Sequence, residues 1–220
     1  MKRVDLKNGC REEIIRKMTK EELRDAIVMR CYKHKVPIAE CGCFDELKSV
    51  GFLDTESTNL DSDFGVMICF SIYHHNKMHT YVIKRKEWYD GNEERLIRGL
   101  YEHLHYVKYI VVHNAGFDIN YLRGKFIRYG ISVPKHIRYI DTYEICKKKL
   151  RLSSCSLSAV ASYLRTEHKK YWVDRECWRN LTQYKKKLIR KIVIHNQLDV
   201  LVLKEVWEKL RSVRYTSHYL

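Results

Sequence analysis

The chain has 220 residues, with 42 Lys and Arg against 27 Asp and Glu, which gives a formal net charge of +15. Hydrophobic residues make up 45% of it, while Pro occurs twice and Gly nine times, so the composition excludes a wholly disordered chain and a collagen-like repeat. The positive charge predicts a polyanionic partner, and nucleic acid is favoured over an anionic membrane surface.

The first 47 residues predict a small helical segment with one metal site. A capping box at Thr19-Lys-Glu-Glu22 favours a helix within residues 11–34. Four zinc-type ligands follow within thirteen residues, namely Cys31, His34, Cys41 and Cys43. Thiolates with an imidazole suit a closed tetrahedral site, so we predict one structural Zn²⁺ here. The alternative is a set of buried thiols beside a surface histidine.

From residue 48 onward the pattern is that of an α/β domain. Short apolar runs predict strands at 49–53, 64–73, 78–84, 108–112 and 137–140. Apolar periodicity predicts helices at 92–105, 117–129, 142–150 and 156–164. A turn at 74–77 makes the second and third strands a hairpin, and Gly130 is placed to end the helix before it. The order is an antiparallel three-strand start followed by alternating helix and strand.

Residues 181–210 carry an apolar stripe with helical spacing, which predicts one helix or two successive helices. Its members are Leu181, Tyr184, Leu188, Ile192, His195, Asp199, Val202, Val206 and Leu210. His195 and Asp199 lie on this inward face, where a buried imidazole and a buried carboxylate need partners. A hydrogen-bonded core pair is the structural alternative to a functional role.

Four acidic residues occupy positions that structure alone does not favour. Asp54 and Glu56 follow an apolar strand and point to one face of it, Asp118 follows the strand at 108–112, and Asp199 lies on the apolar stripe. If these elements pack together, the four carboxylates converge. Oxygen-only ligands favour Mg²⁺ or Mn²⁺, and two such ions can drive phosphodiester hydrolysis. Taken singly, an acidic strand end is usually solvated, and an acid near a helix N-terminus can serve the helix dipole.

Four motifs in this order carry a family resemblance. They are Leu53-Asp-Thr-Glu-Ser-Thr-Asn-Leu60, then Val112-His-Asn-Ala-Gly-Phe-Asp-Ile-Asn-Tyr-Leu122, then Ile140-Asp-Thr142 with Leu157-Ser-Ala-Val-Ala-Ser-Tyr-Leu164, and finally His195-Asn-Gln-Leu-Asp-Val200. Together they resemble the DEDD superfamily of 3′–5′ exonucleases, over residues 49–210. The resemblance implies an RNase H-like mixed sheet flanked by helices. We therefore expect an N-terminal zinc segment at 1–47, an exonuclease domain at 48–212 and a tail at 213–220.

The resemblance also implies roles for single residues, with two Mg²⁺ or Mn²⁺ ions as cofactors. Asp54 would touch both ions, Glu56 and Asp199 would hold the nucleophile-side ion, and Asp118 would act on the second ion, through water. Leu60 would lean on the terminal base, and Thr55, Asn114 and Phe117 would contact nucleic acid around the 3′ end.

The third motif departs from the pattern of both subfamilies that the chain resembles. One has Tyr-x3-Asp and the other has His-x4-Asp, whereas this chain has His195 at the Tyr spacing before Asp199. Residues four apart share a helix face, so His195 can still orient or deprotonate the attacking water. The sequence leaves open which subfamily's mechanism applies.

A basic region precedes the third motif. Residues 165–191 contain ten Lys or Arg against three acids, with Tyr and Trp interleaved. Cations for phosphates and aromatic rings for bases are typical of single-strand binding, and we assign Lys185, Lys186 and Lys187 as nucleic-acid contacts. The alternative is a solvated helix face with its aromatic residues in the core.

The acidic cluster and the positive charge predict a metal-dependent enzyme acting on nucleic acid, and the resemblance implies a 3′–5′ exonuclease, with DNA favoured as the substrate. The alternatives are an RNA 3′-trimming exoribonuclease and a non-catalytic nucleic-acid-binding module. A polymerase or repair complex would be a separate partner. Because no apolar run approaches the roughly 20 residues of a membrane span, and because Cys69 lies in an apolar strand where a thiol is a small core residue, we expect no membrane association and a reducing, cytoplasmic location.

Overall fold

The computed structural model describes residues 50–134, 137–174, 177–178 and 181–215, with side chains up to Leu210. The predicted zinc ligands Cys31, His34, Cys41 and Cys43 lie outside the described residues, as does the end of the predicted tail. The zinc site and the boundaries of the N-terminal segment therefore stay predictions.

A five-stranded mixed sheet lies at the centre of the described chain. Its strands are β1 (Val50–Ser57), β2 (Met67–His74), β3 (Lys77–Val82), β4 (Tyr109–Val112) and β5 (Arg138–Asp141). Their order across the sheet is β3-β2-β1-β4-β5. β1 pairs antiparallel with β2, and β2 with β3, whereas β4 pairs parallel with β1 and with β5. The predicted mixed sheet with an antiparallel first half is confirmed, and the fold is RNase H-like.

Helices cover both faces of this sheet. They are α1 (Arg85–Tyr89), α2 (Glu94–Leu104), α3 (Ala115–Arg128), α4 (Thr142–Lys149), α5 (Leu157–Leu164) and α6 (Lys186–Tyr215). α6 crosses β1 and β2 and packs against α4 and α5, while α2 lies against β2 and β3 and contacts α3. No helix in the described part of the chain combines the length and the apolar character that crossing a bilayer requires.

The alternation of side chains along β1 assigns each of its residues to one face. Phe52 packs with Leu203 and Trp207 of α6, whereas Leu53 belongs to the core on the side of α2 and α3. Because successive strand residues point to opposite faces, Asp54 and Glu56 follow Phe52 towards α6, and Thr55 follows Leu53. The side chains of Asp54 and Glu56 therefore lie on one face of β1, and that of Thr55 lies on the other.

Among the boundaries that differ from the sequence-based predictions, three bear on the site, and the short helix α1 was not predicted. β1 continues to Ser57, so Asp54 and Glu56 lie within the strand rather than just after it. β2 begins at Met67 instead of residue 64, because residues 58–66 form a loop closed by hydrogen bonds between Thr58 and Val66. α6 begins at Lys186, so only the later part of the predicted stripe is helical. As predicted, Gly130 ends α3, with a φ of +64° that favours glycine.

A buried ion pair holds the loop at 58–66 against α3. The ammonium of Lys125 pairs with the carboxylate of Glu93, and it donates to the carbonyl oxygen of Gly65 at 2.5 Å. Both side chains of the pair are about 1% exposed. A second oxygen of Glu93 accepts from the backbone N–H of Met67. The loop that follows the acidic strand is therefore anchored from two helices.

We expect Lys125→Met to lower the free energy of unfolding by about 3 kcal/mol or more, because it leaves the Glu93 carboxylate buried without its cation. Denaturant titration measures this change. The double variant Glu93→Gln/Lys125→Met should recover part of the loss, since no unpaired charge remains. Equal losses in the single and double variants would show that packing, and not charge, dominates at this position.

Candidate active site

The structure brings Asp54, Glu56, Asp118 and Asp199 close to one another beside β1. β1 supplies Asp54 and Glu56, the first turn of α3 supplies Asp118, and the middle of α6 supplies Asp199. Asp118 is 4% exposed and Asp199 is 5% exposed. The negative charges of Glu56, Asp199 and Asp118 all act on Asp54. Four carboxylates from three elements therefore form one acidic cluster.

Neighbouring side chains orient two of these carboxylates. The hydroxyl of Thr55 donates directly to Oδ1 of Asp118 at 2.6 Å. The amide of Asn196 on α6 donates to Oδ2 of Asp54 at 2.7 Å. Thr55 is 4% exposed, and its side chain positions Asp118 through this hydrogen bond. Its predicted contact with nucleic acid stays a prediction.

Asp199 has one paired and one unpaired oxygen. Its Oδ2 lies 2.6 Å from the ammonium of Lys170, while its buried Oδ1 has no hydrogen-bond partner among the described residues. A buried carboxylate oxygen without a partner is costly. Such an oxygen is a good ligand for a divalent cation. This orphaned oxygen, in a cluster of oxygen donors, fits the binding of Mg²⁺ or Mn²⁺ by the four acids.

His195 faces the acidic cluster with one defined ring nitrogen. Its Nδ1 lies 2.5 Å from the carbonyl oxygen of Tyr171, and because a carbonyl only accepts, Nδ1 carries the proton and donates. Nε2 lies 3.5 Å from Oε1 of Glu56 and 3.8 Å from Oδ2 of Asp199. In the neutral imidazole, Nε2 is therefore the free acceptor, and it points between two carboxylates.

Burial and mutual repulsion favour the protonated forms of these acids. Burial, followed by repulsion from Asp199 and Asp118, raises the pKa of Glu56 to about 8. Burial raises the pKa of Asp118 to about 7, against the hydrogen bond from Thr55. The pKa values of Asp54 and Asp199 are also raised, chiefly by burial. Without added cations, the cluster thus retains protons near neutral pH.

We expect Mg²⁺ to raise the melting temperature increasingly as pH rises from about 5 to about 8. The ordinary pKa values of 4.5 for Glu56 and 3.8 for Asp118 describe the unfolded chain, whereas the folded values are about 8 and about 7. The folded, metal-free chain therefore binds more protons than the unfolded chain, and its stability declines as pH rises through this window. Divalent cations favour the ionised carboxylates and offset the decline.

Thermal melts with EDTA and with Mg²⁺, run side by side at each pH, measure this difference. Titrating groups away from the cluster contribute equally to both melts and cancel. A Mg²⁺ effect that is independent of pH, or that shrinks as pH rises, would contradict the assignment of the cluster as the metal site.

The other predicted contact residues lie around the cluster or on the basic surface. Leu60 is 74% exposed on the loop at 58–66, and Phe117 is half-buried against Tyr121. Asn114 precedes α3 in a left-handed conformation, with φ of 71°. The exposed residues near the start of α6 are Lys185, Lys186 and Lys187. The last two line a groove of about 600 Å³ beside β3.

Three residues that position the acids escaped the sequence-based assignment. Asp141, at the end of β5, accepts the backbone N–H groups of Asn114 and Ala115 at 2.9 Å each, and so fixes the start of α3 that carries Asp118. Lys170 and Asn196 act on Asp199 and Asp54. The sequence did contain a signal for Asp141, because this residue directly follows a predicted strand and lies in the third matching motif. Lys170 was one of ten basic residues, and no spacing distinguished it.

One comparison with known proteins identifies the superfamily. A family model described as belonging to the RNase H superfamily matches residues 51–211, nearly three quarters of the chain. No similar sequence was found among curated proteins. At the level of the superfamily, this match supports a nuclease that acts on nucleic acid with divalent metal ions. The sheet order, the acidic cluster and the sequence match agree, and the chain belongs to the RNase H superfamily.

Proposed function

We propose that the protein is a metal-dependent 3′–5′ exonuclease of the DEDD type that hydrolyses phosphodiester bonds, with DNA as the substrate we favour. The observation that carries this proposal is the meeting of four carboxylates with the acceptor nitrogen Nε2 of His195. Direction and subfamily rest on the resemblance of the motifs around Asp54, Asp118 and Asp199 to those of DEDD exonucleases.

The side chains of the cluster have separable tasks in this reaction. Divalent ions held by Asp54, Glu56, Asp118 and Asp199 would make the attacking water more acidic and would stabilise the negative charge on the leaving 3′ oxygen as its bond to phosphorus breaks. Nε2 of His195 accepts the proton of that water. The carbonyl of Tyr171 holds the imidazole in the tautomer that leaves Nε2 free, and the carboxylates of Glu56 and Asp199 stabilise the imidazolium that forms.

Exposed apolar side chains near the cluster offer surfaces for the bases of a strand end. Leu60 and Phe64 are 74% and 78% exposed on the anchored loop that follows β1, and Trp172 is 76% exposed beside Tyr171, whose carbonyl holds His195. Stacking on such side chains does not depend strongly on sequence. We assign Phe64 and Trp172, with Leu60, to contacts with the terminal nucleotides.

The basic groove lies on the same face of the sheet as Asp54 and Glu56. Val82 lines the groove and pairs with Cys69, which in turn pairs with Glu56. Residues that are directly paired across strands point to the same face. Lys186, Lys187 and Arg190 of the groove can therefore bind phosphates of the strand whose end reaches the cluster.

The test is digestion of DNA and RNA that carry a label at either the 3′ or the 5′ end, as single and double strands, with Mg²⁺ or Mn²⁺. A 3′–5′ exonuclease releases the 3′ label first, as a mononucleotide, and shortens 5′-labelled strands stepwise. Internal fragments at early times, or first release of the 5′ label, would overturn the proposed polarity. Digestion of RNA but not DNA would select the exoribonuclease alternative.

A non-catalytic binding module would bind these strands without any metal-dependent shortening. Binding should weaken as salt rises for both an enzyme and a non-catalytic binding module, because each phosphate contact releases counterions. Digestion, and not binding, is therefore the property that separates the enzyme from the binding module.

A further inference from the structure

Three histidines from one hairpin and one helix meet on the face of the sheet opposite Asp54 and Glu56. His74 ends β2, His79 lies in β3, and His103 lies in the last turn of α2. His79 lies two residues before Tyr81 in β3, and the Tyr81 ring lies against Gly99 of α2, so both side chains face α2. The hairpin and the helix therefore bring three imidazoles to one place. No motif in the sequence indicates that these histidines meet.

The ring nitrogens lie close to the spacing that a metal ion requires. Nε2 of His74 lies 3.0 Å from Nδ1 of His103, and one nitrogen from each of the three rings lies within 4.8 Å of the others. Two nitrogens on a tetrahedral Zn²⁺ ion, each at about 2.0–2.1 Å, are about 3.4 Å apart. Small ring rotations would bring the three nitrogens to that spacing.

The packing of the rings limits how far they can move. His74 is 5% exposed, it stacks on His79 with ring centres 4.7 Å apart, and Tyr106 stacks on it at 5.8 Å. His75, in the turn, places its Nδ1 2.9 Å from Nδ1 of His74. Imidazoles held in this way are preorganised as ligands, with a fourth position left for water.

We propose that His74, His79 and His103 bind one transition-metal ion of the Zn²⁺ class, which ties the β2–β3 hairpin to the end of α2. Imidazole ligands select Zn²⁺, Co²⁺ or Ni²⁺ over Mg²⁺, which prefers oxygen. The site is thus separate from the acidic cluster both in position and in chemistry. β3 is an edge strand of the sheet, and the ion would fasten that edge to a helix.

Titration of the full chain with Co²⁺ in excess Mg²⁺ tests this site, since Mg²⁺ saturates the carboxylates. The predicted thiolate site at residues 31–43 is removed by Cys41→Ser/Cys43→Ser. We expect this variant to bind one Co²⁺ with the visible absorption of a tetrahedral ion and without thiolate charge-transfer bands. Adding His79→Gln and His103→Gln should abolish that spectrum, whereas adding the matched control His105→Gln should leave it unchanged.

Zinc-edge X-ray absorption on the Cys41→Ser/Cys43→Ser chain gives a readout that does not depend on the folding of any histidine variant. We expect imidazole scattering from about three rings, together with a Zn²⁺-dependent rise in melting temperature, because an ion that binds only the folded chain stabilises it. Unchanged Co²⁺ binding after loss of His79 and His103, or a zinc spectrum without imidazole, would overturn the proposal. The rings would then form only a stacked, hydrogen-bonded cluster.

Discussion

Replacing Asp118 by Asn is expected to slow hydrolysis by at least about a thousandfold while strand binding persists. The Asn amide oxygen can still accept the hydrogen bond that Thr55 donates to Oδ1, so the geometry is preserved and only the charge is lost. Metal-centred charge stabilisation is worth several kcal/mol, and a loss of about 4 kcal/mol corresponds to about a thousandfold in rate. Single-turnover digestion in saturating Mg²⁺ measures the loss, and fluorescence anisotropy without divalent ions measures binding.

Asp63→Asn is the matched control for this experiment. It makes the same change of charge at an exposed residue of the loop at 58–66, and its rate should stay near that of the wild type. Wild-type digestion by Asp118→Asn would remove Asp118 from the metal centre. Loss of strand binding by Asp118→Asn would mean that the residue supports the fold and not the chemistry.

His195→Ala is expected to lower the rate by about two to four orders of magnitude, the range that general base catalysis contributes. The reason is the position of Nε2 between Glu56 and Asp199, with Nδ1 committed to the carbonyl of Tyr171. The measurement is the single-turnover rate at saturating strand concentration, which separates the chemical step from binding.

Two further substitutions at this position distinguish the role of His195 as a general base from its hydrogen bond to Tyr171. His195→Asn can still donate to the carbonyl of Tyr171 but lacks Nε2, so it should be as slow as His195→Ala. His195→Tyr should restore part of the activity, because the spacing to Asp199 is that of the tyrosine subfamily. Full activity in His195→Asn would show that the histidine only fastens Tyr171, and that the general base lies elsewhere.

The alternation of apolar runs was enough to predict most of the fold. Apolar runs mark β2 and β4 clearly, whereas the limits of strands that contain polar residues, such as β1 and β3, were harder to place. Asp and Glu are uncommon in strands, so the sequence suggested that the first strand ends before Asp54. In the structure, pairing with β2 extends this strand through Asp54 and Glu56. Tertiary pairing overrides local propensity where a functional residue must sit inside an element.

The acids of the candidate site could be picked out from the sequence because three of them follow apolar strands and Asp199 interrupts an apolar helical stripe. The residues that orient them were not, because their role depends on tertiary contacts. Asn196 is one polar residue among several on α6, and only its contact with Asp54 distinguishes it. The histidines at 74, 79 and 103 are spread over two strands and a helix, and no linear spacing predicts that they meet.

The most direct test of the account is anomalous scattering from a crystal of the full chain soaked in Mn²⁺. We predict Mn²⁺ peaks in contact with the carboxylates of Asp54, Glu56, Asp118 and Asp199, with the ammonium of Lys170 displaced from Asp199. The same soak of Asp118→Asn should lose at least one of these peaks. Absence of Mn²⁺ at the four carboxylates, with Lys170 still paired to Asp199, would contradict the assignment of this cluster as the catalytic metal centre.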